Sequence, residues 1–199
     1  LDELQREEAA SRLDESEIAQ PAIFALQVAL AEMWRAWGVV PNAVVGHSVG
    51  EVAAAHVAGA LPLAEAIRVI YHRGRLMQQA TGLGKMAAVE LTHDEALSLL
   101  AEYEGRLSLA AINSAKDVVI SGETAALEDV LRRLQERGVY CRMLPVNYAF
   151  HSAQMAPFSA ALEQALHGLA PQACTLPRYS TVTGNALADA VCNAAYWGK

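Results

Sequence analysis

The sequence predicts an α/β fold: a parallel sheet packed with helices, carrying a small βαββαβ unit inserted in its middle. Three features predict it. First, the β-branched run Ala43-Val44-Val45 enters Gly46-His47-Ser48-Val49-Gly50 and leaves in an alanine-rich helical pattern, giving a strand, a sharp turn and a helix in succession. Second, residues 85–146 change rhythm and read strand, helix, strand, strand, helix, strand. Third, 199 residues with 53% hydrophobic and 19% charged side chains supply a buried core and exclude a disordered chain.

The elements follow in order. Residues 1–18 are acidic and weakly amphipathic, a surface helix or a loose lead-in. From Gln20-Pro21 a helix begins, Pro21 suiting its first turn. Ile23, Leu26, Leu30, Met33, Trp34 and Trp37 recur at steps of three and four as one apolar face, and Gly38 ends the helix. Pro41-Asn42 turns the chain into the strand at 43–45, and a helix over 49–59 follows. A second helix over 63–80 carries Ile67, Ile70, Tyr71, Gly74 and Met77 on one face.

In the inserted unit, Lys85–Leu91 reads as a strand. Thr92 caps a helix that runs to about Tyr103, and Glu95 completes a capping box. Leu107–Ile112 and Val118–Ser121 are strands, 124–137 a helix with Leu127, Val130, Leu131 and Leu134 inward, and Val139–Val146 the last strand. This order is ferredoxin-like. A helix over 155–168 and a strand over Leu176–Thr183 return the chain to the large unit. The expected division is 1–84 for the first part of the large subdomain, 85–146 for the insert and 147–199 for the return segment.

A net charge of −7 argues against nucleic acid as a partner. Cys141, Cys174 and Cys192 are odd in number and far apart, the usage of a reduced, cytoplasmic protein with neither a disulfide framework nor zinc spacing. No uncharged apolar run approaches the ~18 residues of a membrane span. The chain starts at Leu1 without Met or a basic leader and stops abruptly after Tyr196-Trp197. It is read as a piece of a longer polypeptide.

Gly-x-Ser-x-Gly between a strand and a helix is the nucleophile elbow of α/β-hydrolase-like folds. Ser48 sits at the tip, in a strained backbone that projects its hydroxyl. Gly46 and Gly50 are expected to remove side chains that would collide across the turn, and the Val49 N–H at the helix start is an oxyanion donor. A serine nucleophile needs a base. Of the histidines, His47 adjoins Ser48 but should point away and act as support, while His56, His72, His93 and His167 fall in helical patterns. His151 differs: it lies in the aromatic loop Tyr148-Ala149-Phe150-His151, and loops that follow strands line the crevices of α/β folds. Arg73 lies on an apolar-faced helix; by position alone it is a snorkelled surface arginine, but buried it would make a fork for a carboxylate.

Gly46-His47-Ser48-Val49-Gly50-Glu51, Tyr71-His72-Arg73-Gly74-Arg75-Leu76-Met77, Asn113-Ser114 with Val118-Val119-Ile120-Ser121-Gly122, Tyr148-Ala149-Phe150-His151-Ser152 and Tyr179-Ser180-Thr181-Val182-Thr183-Gly184 occur in this order. Together they resemble the acyltransferase domain of modular polyketide synthases and, more distantly, the malonyl-CoA:acyl-carrier-protein transacylases, from about Gln20 to Trp197. The resemblance implies a ping-pong transfer. Ser48 attacks an acyl-CoA thioester with His151 as base, and the acyl group then passes to the phosphopantetheine thiol of an acyl carrier protein. It implies that Arg73 holds the free carboxylate of a malonyl-type unit, and that Gln20, His47, Asn113, Tyr148 and Phe150 line the substrate site. No bound cofactor and no metal are implied; coenzyme A enters as the leaving thiol. Partners would be the carrier protein, the neighbouring ketosynthase and the other synthase domains.

Family members that use malonyl units often carry His-Ala-Phe-His at this loop, and methylmalonyl users Tyr-Ala-Ser-His. Tyr148-Ala149-Phe150-His151 mixes the two, and the bulk of Phe150 favours malonyl-CoA, with methylmalonyl-CoA as the alternative. The family's opening strand with its Gly-Gln-Gly loop is absent, as is its C-terminal segment, so Val49 is the one visible oxyanion donor. A serine esterase or thioesterase is a rival, but its acidic triad member would have to come from the insert. A non-catalytic fragment is the other. Arg132, Arg133 and Arg137 form a candidate basic patch for an acidic carrier protein.

Overall fold

The computed structural model describes residues 2–187 and 191–198. In chain order its elements are α1 (Ser16–Ala36), β1 (Val44–Gly46), α2 (Gly50–Val57), α3 (Leu63–Gln78), β2 (Lys85–Val89), α4 (His93–Leu100), β3 (Leu107–Ser114) and β4 (Asp117–Gly122). There follow α5 (Thr124–Glu136), β5 (Cys141–Met143), α6 (Ala156–Ala165), β6 (Arg178–Ser180) and α7 (Ala194–Trp197). The chain divides into two compact units, Leu1–Gln78 with Phe158–Lys199, and Gln79–Pro157.

In the first unit β1 pairs in parallel with β6, Val44 opposite Arg178 and Gly46 opposite Ser180. This is the expected parallel sheet, two strands wide among the described residues. Phe24, Val52, Ala55, Leu61, Val69 and Ile70 form its core together with Leu162 and Leu166 of the return segment. The alanines of α2 serve this packing: every residue from Gly50 to Ala55 is buried.

Helix α1 departs from expectation twice. It starts at Ser16, so Pro21 stands inside it rather than in its first turn. The early start is held by packing. Gly74 of α3 lies so close that an added Cβ would come within 3.0 Å of the Ser16 carbonyl and 3.2 Å of the Glu17 Cα. The apolar face is also exposed: Leu30 is 50% and Trp37 66% accessible, while Gln20 and Phe24 are buried. Helix α1 packs on α2 and α3 through that second face. Helix α3 is rotated likewise. Ala66, Val69, Ile70, Gly74 and Met77 are buried, whereas Ile67 and Tyr71 are about half exposed. The buried stripe steps by three and four through position 73, so Arg73 stands in it.

The second unit is an antiparallel sheet in the order β3-β4-β2-β5. Helices α4 and α5 supply Ala96, Leu99, Leu127, Val130 and Leu134 to a core with Val89, Val118 and Ile120. Strand order and the two intervening helices are those of the expected ferredoxin-like pattern. The capping box is present: Glu95 N–H donates to Thr92 Oγ1 at 3.3 Å, and Thr92 N–H to Glu95 Oε2 at 2.8 Å. Strand β5 is shorter than the predicted 139–146. Leu144 N–H still donates to the Met86 carbonyl, but Pro145 has no N–H with which to continue. The unit runs on to Pro157 and includes the Tyr148–Ser152 loop.

Candidate active site

The turn after β1 has the geometry that Ser48 and Gly46 suggested. Ser48 has φ +53°, left-handed backbone that few non-glycine residues adopt. A Cβ at Gly46 would lie 2.1 Å from the Gly50 carbonyl oxygen, so only glycine fits. Gly50 is a correction: a Cβ there meets only Gln27 Nε2, at 3.4 Å. Gly50 opens α2, where its Cα hydrogens face a flexible side chain instead of the opposite arm of the turn. Val49 is the N-cap of α2, which places its N–H at the positive end of the helix dipole. Strain at Ser48 is held by neighbouring bonds, with Gly50 N–H donating to the His47 carbonyl and Glu51 N–H to that of Ser48.

Arg73 reaches this turn. Its Nη2 donates to Ser48 Oγ at 2.9 Å and its Nη1 to Gln20 Oε1 at 2.5 Å. Gln20 is oriented in turn by its Nε2 contact with Met77 Sδ at 3.2 Å. The guanidinium is deep yet reachable. Surrounding protein atoms push its pKa down to about 10, and the Glu51 carboxylate opposes that shift. Arg73 therefore keeps its charge at neutral pH. Ser48, Arg73 and Gln20 form one constellation: a hydroxyl, a fixed cation on its oxygen and an amide that steers the cation. Such a cation stabilises negative charge at or beside the serine oxygen and offers a fork to a carboxylate.

His47 is exposed and lines an open groove of about 560 Å³ along β1, beside Val45, Gly50 and Gln27. Ser48 and Arg73 are not among the residues that line it. His56, on α2, has its Nδ1 2.9 Å from the Leu61 carbonyl oxygen.

The second unit holds the remaining candidates. Tyr148 and Phe150 stack with centroids 3.7 Å apart and planes 13° from parallel. Burial pushes the Tyr148 hydroxyl's pKa up. His151, next in the chain, is exposed and has φ +59°, one of three described non-glycine residues in the left-handed region with Ser48 and Glu104. Ser152 steadies the loop by donating to the Ala149 carbonyl at 2.6 Å. Asn113 is exposed near the β3–β4 turn, with Nδ2 3.5 Å from Asp117 Oδ2. On α5, Arg132 pairs with Asp129 and Glu136, and Arg133 with Glu102, so two of the three arginines proposed as a basic patch are already neutralised.

Sequence reasoning missed a buried network behind the turn. Glu51 is 4% exposed and accepts hydrogen bonds from Thr181 and Tyr196. Its position beside the serine motif was visible, but its partners lie far along the chain.

The model of the acyl transferase domain matches residues 1–199, the whole chain. The chain belongs to the acyl transferase domain family. Relatives of this acyltransferase domain are polyketide synthases. The spectinabilin polyketide synthase system protein NorC of Streptomyces orinoci is 43% identical over 96% of this chain, which spans 8% of that protein. The mycoketide-CoA synthase of Mycobacterium tuberculosis is 40% identical over 99% of this chain and 5% of that protein. The acyltransferase domain from module 8 of the salinomycin polyketide synthase superposes with a TM-score of 0.93 at 39% identity, covering 98% of this chain and 46% of that one. FabD from Acinetobacter baumannii gives 0.83 at 32% identity, covering 90% and 60%. The domain thus spans about half of the salinomycin chain that it matches. Among the described residues no helix is long and apolar enough to cross a membrane.

Proposed function

We propose that this acyltransferase domain loads a malonyl-type unit from coenzyme A onto an acyl carrier protein through an acyl-serine intermediate. The observation that carries the reading is the 2.9 Å bond from Arg73 to Ser48 Oγ. It sets a cation suited to a carboxylate on Ser48, the one serine among the described residues with left-handed backbone. Ser48 Oγ attacks the thioester carbonyl, and His151 takes the hydroxyl proton. The Val49 N–H faces the developing oxyanion. As the C–S bond breaks, His151 returns the proton to the departing coenzyme A thiolate. In the second half, His151 takes the proton of the phosphopantetheine thiol. The sulfur attacks the acyl-serine, and Ser48 recovers its proton as the C–O bond breaks.

The support for His151 is its motif and its left-handed backbone within its own unit. Arg73 selects dicarboxylic acyl groups because a ligand without the carboxylate leaves the desolvated guanidinium unpaired. Malonyl-CoA is favoured over methylmalonyl-CoA because Phe150, stacked on Tyr148, is a bulky side chain held in one orientation. A methyl group in a pocket is worth about 1–3 kcal/mol of discrimination, enough for a preference. Gln20, Asn113 and His47 are assigned to the substrate site, Gln20 through its bond to Arg73. Other synthase domains and the carrier protein are the partners, in the cytoplasm.

The test is intact-protein mass after exposure to malonyl-CoA, methylmalonyl-CoA and their mixture, with Ser48→Ala as control. A malonyl adduct that needs Ser48 and dominates in the mixture is expected. A dominant methylmalonyl adduct overturns the role given to Phe150, and an adduct that survives Ser48→Ala overturns the acyl-serine.

A further inference from the structure

Glu51 is the first residue after the Gly-x-Ser-x-Gly turn, and its carboxylate is sealed from solvent. A carboxylate at a helix N-terminus gains from the dipole while still in water. Burial adds a desolvation cost that only hydrogen bonds offset. Glu51 has them. Its Oε1 accepts from the Thr181 N–H at 2.7 Å, the Thr181 hydroxyl at 2.9 Å and Ser180 Oγ at 3.4 Å. Its Oε2 accepts from the Tyr196 hydroxyl, which also lies 2.7 Å from Ser180 Oγ.

Thr181 makes this more than a satisfied glutamate. Its hydroxyl faces the Gly46 carbonyl at 3.0 Å as well as Glu51. Gly46 ends the strand arm of the turn and Glu51 begins the helix arm. One residue at the end of β6 therefore touches both arms of the turn that holds Ser48 at φ +53°. Tyr196 of α7 locks the carboxylate from a further side, and its ring lies under the buried Arg178 guanidinium at 5.6 Å.

We propose that Glu51, clamped by Thr181 and Tyr196, is a positioning residue for Ser48: it fixes the strained turn so that the hydroxyl keeps its attacking orientation. The proposal rests on the acyltransferase reading of Ser48, and its test separates the two.

The variants are Glu51→Gln, Tyr196→Phe, Thr181→Val and Thr181→Ser, each checked for folding by circular dichroism. The readouts are the labelling rate of Ser48 by an uncharged fluorophosphonate, and kcat and KM for loading from malonyl-CoA. Small misplacements of a reacting group cost up to about a hundredfold in rate, so Glu51→Gln and Thr181→Val are expected to slow labelling and kcat by about tenfold or more. KM should stay within about twofold, and Thr181→Ser, which keeps the hydroxyl, should restore the rate. Thr181→Val changes a residue near the surface and answers the question even where Glu51→Gln does not fold. Folded variants that label and turn over at the wild-type rate overturn the proposal and leave the acyltransferase reading intact. Ser48 that labels normally but accepts no acyl group overturns the acyltransferase reading, and the clamp is then judged on labelling alone. Failure of the wild-type Ser48 to label sinks both.

Discussion

At the scale of single residues, three described non-glycine residues adopt left-handed backbone, Ser48, Glu104 and His151, and the motifs single out Ser48 and His151 for acyl and proton transfer. Strain at such positions persists only where surrounding structure enforces it. Arg73 is the third residue of the proposed site, with Nη2 meeting Ser48 and Nη1 meeting Gln20. Arg73→Ala should lower kcat/KM for malonyl-CoA by about tenfold to a hundredfold, the value of a hydrogen bond to a charged group. Acetyl-CoA, which has no carboxylate to lose, should be affected less, so the ratio of the two kcat/KM values is the measurement. Arg73→Lys should not restore that ratio, since an ammonium lacks the planar fork that pairs a carboxylate through two parallel bonds. With a pKa near 10 the wild-type guanidinium is charged below that pH, so carboxylate recognition is expected to be flat between pH 6 and 8.

At the scale of elements, the turn after β1 and the start of α4 make contrasting predictions. Gly46→Ala drives a methyl group into the Gly50 carbonyl, 2.1 Å away. Neither backbone arm can yield cheaply, so fluorophosphonate labelling of Ser48 should be lost or the protein should fail to fold. Gly50→Ala, with only Gln27 to push aside, should label normally. At α4 the capping box satisfies two N–H groups, Thr92 and Glu95. Thr92→Ala should cost about 0.5–2 kcal/mol in urea unfolding followed by far-UV circular dichroism. Labelling of Ser48 should be unchanged, because the box lies in the second unit.

For the molecule as a whole, the notable surface is the apolar face of α1. Trp34 and Trp37 stand edge to face at 5.5 Å, and Trp37 is 66% exposed. Exposed apolar patches mark interaction surfaces or promote association. Trp37→Ser should therefore reduce self-association in light scattering while leaving the urea midpoint within about 0.5 kcal/mol, as for other surface changes. The net charge of −7 opposes association, so added salt should raise the scattering of the wild type more than that of the variant.

Local pattern alone determined much of this protein. The strand, turn and helix around Ser48, the Thr92 box, the βαββαβ order and helices α1 to α6 follow from periodicity and cap residues, which act within a few positions of themselves. The five motifs also marked the family. Tertiary structure decided what periodicity leaves open: which side of an amphipathic helix meets a partner. On α1 the row with Trp37 faces solvent and the row with Gln20 and Phe24 faces α3. On α3 the buried stripe passes through a charged residue that an apolar tally skips. The site shows the same division. Ser48, Arg73 and His151 were legible because each sits in a short motif. The contact of Arg73 with Ser48 was not, nor were the partners of Glu51, since Ser180 and Tyr196 reach it across 129 and 145 residues of chain. A buried carboxylate and an exposed one look alike in sequence; only folding brings up the donors that tell them apart, because desolvation depends on neighbours that are close in space and remote along the chain.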